Sequence, residues 1–245
     1  MIKLIILLTK FIIATIVALL FSSCINSLKW NEIKGSGNVV TETRNVNQDF
    51  KSIEVNQGIE VLLEQSKTTS ISVEVDDNLQ KHIITKVEDG VLIIESDETY
   101  FATETPVVMV HMPIIKRLSA SGGSQIKSIG ILLSDQIEVE SDSGSQIMIN
   151  IEADKIKLES SSGSHLEASG KALKLETFAS SGSTIEAEEL MANEIISEAA
   201  SGSSTSVYPI LKLDAKASSG SSIEYYKIPK TISKVENSGG SVSED

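Results

Sequence analysis

Six serines that each follow a glycine recur at near-equal spacing, and a row of hydroxyl nucleophiles is the first chemistry they suggest. They are Ser124, Ser145, Ser164, Ser183, Ser203 and Ser221. A nucleophilic serine needs a base within hydrogen-bond reach and a third group that orients this base. The chain has only three histidines and no G-x-S-x-G sequence, the turn that presents a serine for attack in many hydrolases. The serines are therefore predicted to be structural, and no catalytic residue is assigned.

Carboxylates offer a second kind of chemistry. Glu140 and Glu159 occupy the same position in successive repeats, with Asp142 close by, and three such groups could bind Ca²⁺ through oxygen ligands. A solvated acidic face is the preferred interpretation. The sequence has no C-x-x-C or H-E-x-x-H pattern and no glycine- and aspartate-rich calcium repeat. No metal and no cofactor is predicted.

The elements that position these residues follow from a repeat in the sequence. A glycine that precedes a serine recurs at spacings of 18 to 21 residues, at Gly123, Gly144, Gly163, Gly182, Gly202, Gly220 and Gly240. A steady period of this length indicates stacked units, each too small to bury a core alone.

Alternation within each repeat defines its inner and outer sides. Seven residues before the glycine stand Ile137, Ile156, Leu175, Ile195 and Leu213, and the next position holds Arg117, Glu138, Lys157 and Glu176 in alternating sign. Such alternation is typical of a strand with one buried face. The chain is therefore predicted to be all-β, a right-handed parallel β-helix with about 20 residues per coil. The glycines from Gly123 to Gly220 are assigned to its tight corners, because glycine tolerates positive φ.

An outward polar column lies two residues past each glycine. It contains Gln125, Gln146, His165 and Thr184, so stacking would place one hydrogen-bonding side chain every ~4.8 Å along the solenoid. A regular row of this kind suits an extended ligand, and these four residues are predicted to bind a glycan or a protein.

The N-terminus has the pattern of an exported protein. Residues 1–23 combine Lys3 and Lys10 with an apolar run and Ser22-Ser23, as in a secretory signal peptide. The single cysteine, Cys24, follows directly, and the junction resembles the lipobox of bacterial lipoproteins, in which this cysteine carries the lipid. Ordinary signal cleavage with a spare cysteine is the alternative.

The domain assignment follows from these segments. We expect a signal peptide at 1–23, a lipidated tether at 24–34, irregular strands at 35–118 that continue or cap the solenoid, and the Ser-Gly-Ser repeats at 119–245. Residues 35–245 are expected to form one structural unit.

The charge of the chain limits its partners. The net charge of −13 becomes −15 when Lys3 and Lys10 are removed with the signal peptide, and such a surface repels nucleic acid. The membrane is therefore expected to be reached through the lipid. The oligomeric state is left open.

Several segments together resemble a known family. After the lipobox-like cysteine come Asp49–Val55, Gly58-Ile59-Glu60-Val61, Glu88–Ile94 and then the train of Ser-Gly-Ser coils. This order is similar to that of the auto-transporter adhesins with a head GIN domain, envelope proteins of the Bacteroidetes type, and the likeness covers roughly residues 50–245. Glu60 stands where the family name suggests Asn. The resemblance implies a β-helical, surface-anchored adhesin.

These observations predict a lipoprotein of the cell envelope, in the outer membrane, with a non-catalytic adhesive β-helix domain. Two alternatives remain open. One is a polysaccharide lyase or hydrolase, although its convergent carboxylates and cleft-building loops are not evident in the sequence. The other is a passive structural spacer.

Overall fold

The structure is a computed structural model that describes residues 10, 32–46 and 48–245. The predicted signal peptide, apart from Lys10, and Cys24 lie outside these residues. No helix in the described part of the chain is both long and apolar enough to cross a membrane.

Eighteen strands and one 3₁₀ turn, at Gln80–His82, make up the described chain. The strands are β1 (Ile33–Lys34), β2 (Val39–Arg44), β3 (Ser52–Val55), β4 (Glu60–Gln65), β5 (Ser70–Asp76), β6 (Ile83–Glu88), β7 (Val91–Ser96), β8 (Tyr100–Phe101), β9 (Val107–Met112), β10 (Arg117–Ala120), β11 (Gln125–Ser141), β12 (Gln146–Ser160), β13 (His165–Ala179), β14 (Thr184–Ala199), β15 (Ser204–Ser218), β16 (Ser222–Tyr225), β17 (Thr231–Asn237) and β18 (Ser241–Glu244).

The strands from β10 onward stack in parallel, which confirms the predicted solenoid. Each long strand pairs residue by residue with the next, so that Ile137, Ile156, Leu175, Ile195 and Leu213 form one buried column. A first face ends at the Ser-Gly turn, and a second face begins directly after it.

The other edge of each coil has no tight turn. Strands β11 to β15 each run for 15 to 17 residues from the second face into the first. In β12 the inward positions change parity midway, from Ile151 to Ile156. The strand therefore bends at this edge, where the sequence carries no turn signal.

The strands before residue 118 belong to the same stack. Strands β3 and β4 pair with β10 and β11, and β7 and β9 pair beneath them in parallel. Strands β6, β5 and β2 then add in antiparallel orientation. The coil of β7 and β9 thus lies below the coil of β3 and β4, although it comes later in the sequence. Antiparallel strands end the stack on this side.

Asp76 fastens this end. It is fully buried and accepts hydrogen bonds from the backbone N–H groups of Gly37 and Thr103, at 2.7 and 2.8 Å. These bonds keep the pKa of the Asp76 carboxyl below its usual range, with Thr103 the larger cause. Ile33 and Lys34, assigned to the tether by sequence, pair in parallel with Tyr100 and Phe101.

The C-terminal end is closed by charged side chains. In β17, Ile232, Lys234 and Glu236 continue the inward positions of Leu213, Ala215 and Ala217. The Lys234 ammonium donates to the Tyr225 hydroxyl at 3.0 Å and to the Val242 carbonyl at 3.1 Å. Glu236 accepts from the Val242 N–H at 2.6 Å. These two side chains, which we call the terminal lid, span the open interior of the last coil.

One register assignment needs correction. The sequence places the seventh corner glycine at Gly240, but Ser222 pairs with Ser241 and Gly220 donates to the Ser238 carbonyl. The corner position is therefore Gly239, with φ of 79°, and Gly240 stands where the other coils have serine. The last repeat is one residue shorter than the serine-based alignment suggests.

Candidate functional site

The Ser-Gly corners form the ridge on which the candidate site is built. Gly123, Gly144, Gly163, Gly182, Gly202 and Gly220 each donate their N–H to a carbonyl at the corner of the next coil, at 3.0–3.2 Å. In most corners the residue before the glycine, such as Ser143 with φ of 53°, also has positive φ. Both central turn residues are thus left-handed, a geometry that favours small residues and glycine.

The row of serines is structural, as expected. All six are buried, and each hydroxyl donates to a backbone carbonyl of the preceding coil at 2.6–3.0 Å, for example Ser145 to Ala120. Ser145 also accepts from the Asp142 N–H at 3.0 Å. A hydroxyl engaged in this way is neither accessible to a substrate nor near a base.

The polar strip is the outward column just past the ridge, on the second face. The parallel register aligns Glu60, Gln125, Gln146, His165 and Thr184, one per coil. All are half-buried, and among these described side chains no hydrogen bond joins one to another. The members of the strip are thus not consumed by bonds to one another, although Glu60 pairs with Lys127 and His165 lies near Glu186.

Glu60 was not predicted as part of this strip. The corner before it, Asn56-Gln57-Gly58, lacks the Gly-Ser phrase but has the same two left-handed residues, with φ of 66° at Gln57 and 72° at Gly58. Those positive φ values are the signal that places Glu60 in the column. Its carboxylate pairs with Lys127 at 2.6 Å.

A candidate cation cluster adjoins the polar strip. The ligand atoms of His165, Glu167 and Glu186 lie within 4.8 Å of one another, and His165 is 3.7 Å from Glu186. Glu167 and Glu186 face each other directly across two coils, where like charges are unfavourable. Exposed acidic groups of this kind often hold no metal, and no metal site is assigned here.

The corner groove lies on the opposite side of the ridge, at the end of the first face. It has a volume of 610 Å³ and runs along five coils. Its outer wall is the column that contains Glu140, Glu159, Phe178, Glu198 and Lys216. Small residues, among them Ser161 and Ser180, form its other wall.

The charges in the corner groove are paired. Arg117 binds Glu140 through two nitrogens, at 2.6 and 3.2 Å, and Lys157 binds Glu159 at 2.9 Å. Lys216 lies 3.9 Å from Glu198. The calcium site considered for Glu140, Glu159 and Asp142 is therefore disfavoured, because the first two carboxylates already have cationic partners.

Asp142 is held by hydroxyl groups. Ser161 first, then Ser143 and Ser162, donate to its carboxylate and lower its pKa to about 2. The group is thus a fixed anion at any physiological pH, and its acceptor sites are occupied by its own neighbours.

The outward charges that alternate in sign from coil to coil stack in register, but they do not form ion pairs with one another. Arg117, Glu138, Lys157 and Glu176 do face one another across successive coils. The ion pairs run elsewhere, from Arg117 to Glu140 and from Lys155 and Lys174 to Glu176.

One group resembles a hydrolytic triad and lies away from both features. On three adjacent strands, the Ser70 hydroxyl is 3.0 Å from His111 Nδ1, and His111 Nε2 is 3.1 Å from Glu64. The side chains stand on an open sheet surface, with Glu64 47% exposed. None of the three lines the corner groove.

A second groove follows the bent edge of the coils. It has a volume of 760 Å³ and is lined by Leu133, Leu173, Met191 and Ile210 together with charged residues. Leu133 and Leu173 are 59% and 55% exposed.

Sequence reasoning found the polar strip but missed the corner groove. Phe178, Glu198 and Lys216 occupy the column of Glu140 and Glu159, but the angle between the first face and the ridge, which makes the groove concave, has no marker in the sequence. The only available signal was Phe178, an aromatic residue in an otherwise charged outward column.

Comparisons with known proteins agree with this architecture. Residues 49–229 match the model of a family described as "Putative auto-transporter adhesin, head GIN domain". No protein with a curated description matches the chain.

Three solved structures have the same fold over most of this chain. A putative adhesin from Bacteroides fragilis has a TM-score of 0.82 at 19% identity, covering 87% of this chain and 100% of its own. A putative adhesin from Parabacteroides merdae gives 0.73 at 20%, covering 87% and 99%. A putative lipid binding protein from Parabacteroides distasonis gives 0.73 at 21%, covering 88% and 100%. At these identities the likeness shows the fold alone.

Proposed function

Because the chain belongs to the head GIN domain family of auto-transporter adhesins, we propose that it is a non-catalytic adhesive module which binds an extended ligand along its stacked coils. The polar strip is the observation that carries this proposal. It offers Glu60, Gln125, Gln146, His165 and Thr184 in one line, at the ~4.8 Å spacing of paired strands. A row of repeated hydrogen-bonding groups matches a repeating ligand better than a compact substrate.

The test is a double substitution in the middle of the strip. Gln146→Ala with His165→Ala removes two adjacent hydrogen-bonding groups, and the free energy of unfolding should change by no more than about 0.5 kcal/mol. Beads coated with the protein are applied to a glycan array and to immobilised bacterial envelope fractions. We expect retention of the variant beads to fall on the surface that retains the wild type.

The matched control is Asp154→Ala with Lys171→Ala, two outward residues at the bent edge of the coils. This control should retain full attachment. If both double variants attach like the wild type, the polar strip is not the binding surface. If the wild type itself is retained on no surface, the solenoid is a passive spacer.

The hydrolase alternative has one observation in its favour, the Ser70, His111 and Glu64 group. Its open position argues against catalysis, because a triad works only beside a bound substrate and donors for the developing oxyanion. Incubation of the purified chain with polysaccharides and with a chromogenic acetate ester tests it. Hydrolysis that disappears in Ser70→Ala would overturn the non-catalytic proposal.

We further propose that Cys24 anchors the mature chain to the cell envelope, with the outer membrane as its location. The support is the Ser22-Ser23-Cys24 junction after an apolar segment. Growth with a palmitate analogue should label the wild type, and Cys24→Ala should lose the label. Equal labelling of the two would refute lipidation at this residue.

A further inference from the structure

We propose that the corner groove binds a linear, uncharged, β-linked polysaccharide, laid along the solenoid axis with about one sugar unit per coil. This site involves other residues than the polar strip, so it goes beyond the adhesive function proposed above and either can fail alone. The inference rests on the aromatic residue of the groove, its charge balance and its repeat distance.

The aromatic residue of the groove is Phe178, in its outer wall, and the Lys157 ammonium lies 5.9 Å from the centroid of its ring. Phe178 lies in the middle coil of the groove wall, with Glu159 one coil before it and Glu198 one coil after it. The carbon-bound hydrogens on one face of a pyranose ring stack on an aromatic ring, while its hydroxyl groups point to the sides. Carboxylates on both sides of the ring are placed to accept hydrogen bonds from these hydroxyls, and charged acceptors make the stronger bonds.

The charge balance favours a neutral ligand. Glu140, Asp142, Glu159 and Glu198 contribute four negative charges, and Arg117, Lys157 and Lys216 contribute three positive charges. These groups have a net charge of −1, so the groove attracts a charged polymer only weakly in spite of the strongly acidic composition of the protein. The ion pairs also fix the carboxylates in place, which lowers the entropy lost when a hydroxyl binds.

The repeat distance matches a carbohydrate chain. Paired strands are ~4.8 Å apart, and an extended β-linked pyranose chain advances by nearly the same length per sugar. Each unit can therefore meet the same kind of wall in every coil. The small side chains of Ser161, Ser180 and Ser218 keep the opposite wall low.

An extended peptide fits this groove less well. Peptides that add to a sheet bind through the free N–H and C=O groups of an edge strand. In the corner groove the backbone groups are already paired between coils, and free edges lie only at the two ends of the stack.

The experiment is titration calorimetry of the full-length chain, purified in detergent, with cellohexaose and xylohexaose as probes. We expect at least one to bind, and Phe178→Ala to weaken its binding about tenfold, the loss expected for one aromatic stacking contact. Phe178→Trp should bind as well as the wild type or better. Phe101→Ala, which removes a ring that is 69% exposed outside the groove, is the matched control and should leave binding unchanged.

Salt and a cationic probe separate the possible outcomes. Binding of a neutral sugar should be the same in 0.05 and 0.5 M salt, because no ionic attraction is involved. Hexalysine binding that weakens with salt and is lost in Glu159→Gln would identify a cationic peptide groove and overturn the proposal. It is equally overturned if neither hexasaccharide binds, or if Phe178→Ala binds as tightly as the wild type. None of these outcomes depends on Gln146 or His165.

Discussion

Thr205 places a polar hydroxyl group in an apolar environment. It lies in the buried column of Ile126, Ile147, Leu166 and Ile185 on the second face. Its hydroxyl oxygen is buried and has no hydrogen-bond partner among the described residues. A buried polar group without a partner costs the full free energy of its desolvation.

Thr205→Val should therefore stabilise the protein. The two side chains have the same shape, and removing the lone hydroxyl should raise the free energy of unfolding by about 1–3 kcal/mol. The matched control is Thr177→Val, since the Thr177 hydroxyl is also buried but donates to Ser197 at 2.8 Å. This variant should lose about 1 kcal/mol. Denaturant unfolding of the two proteins decides the point, and shifts in the same direction would contradict the assignment.

Asp142 gives a prediction for pH. Its lowered pKa, about 2, results from hydroxyl donors, Ser161 above all. Since the folded pKa lies below the unfolded one, this group stabilises the fold above the unfolded pKa, and the contribution is lost as the pH falls from about 4 to 2. Ser161→Ala should raise the Asp142 midpoint towards its ordinary value of 3.8, as followed by carboxyl carbon NMR. An unchanged midpoint would show that another group sets it.

At the scale of the strand, two glycines with positive φ differ in what surrounds them. Gly163 has φ of 71° and open space where a Cβ would be. Gly170 in β13 has φ of 122°, and a Cβ there would lie 2.1 Å from the Ile151 carbonyl oxygen. At Gly163 only the backbone conformation disfavours a side chain, whereas at Gly170 the neighbouring coil also leaves no space for one.

Gly163→Ala should lower the free energy of unfolding by about 1–2 kcal/mol, the usual cost of a left-handed residue with a Cβ. Gly170→Ala should cost clearly more, because β12 and β13 must move apart. Thermal unfolding of both variants provides the comparison. Equal losses would mean that the chain relaxes at Gly170 without cost.

The difference between these glycines also shows what the sequence reveals about elements. Gly163 was predicted because its turn recurs, and the register of the strands beside it follows from alternating residues such as Ile156 and Lys157. Gly170 lies near the bent edge of its coil. Successive coils bend at the same edge, but the residues at the bend differ from coil to coil. The bend depends on the fit between neighbouring coils, so no local pattern marks it.

The candidate site divides in the same way. Gln125, Gln146, His165 and Thr184 could be aligned from the sequence because they lie two residues from a marked turn. The corner groove could not, because its concave shape depends on the angle at which the first face meets the ridge. The placement of β7 and β9 beneath β3 and β4 was likewise hidden, since the pairing partners are not neighbours in the chain.

At the scale of the whole molecule, the terminal lid determines how one end meets other chains. Strand β17 is exposed along its whole length, and an exposed edge invites further strands. Lys234 and Glu236 reach across the interior from this edge, so an added coil would bury both charges.

Replacing both charges should therefore remove a barrier to association. Lys234→Val with Glu236→Val converts the end of the inward columns into an apolar surface, and we expect dimers or longer end-to-end assemblies in light scattering after size exclusion. Lys227→Val with Glu224→Val changes the same charges at outward positions nearby and should leave the mass unchanged. A double variant at the lid with the mass of the wild type would mean that another feature blocks this end.

The position of the coil made by β7 and β9 also determines the order in which the chain can fold as it is synthesised. Residues of β3 and β4 emerge early, yet the strands beneath them end only at Met112. The first stable pair of coils therefore cannot form until the chain has been made as far as Met112. After that, each new coil can pair with the folded coil before it, so that coils are added one at a time towards the C-terminus. Deletion of a late coil should therefore shorten the solenoid, whereas truncation before Met112 should prevent the first coils from forming.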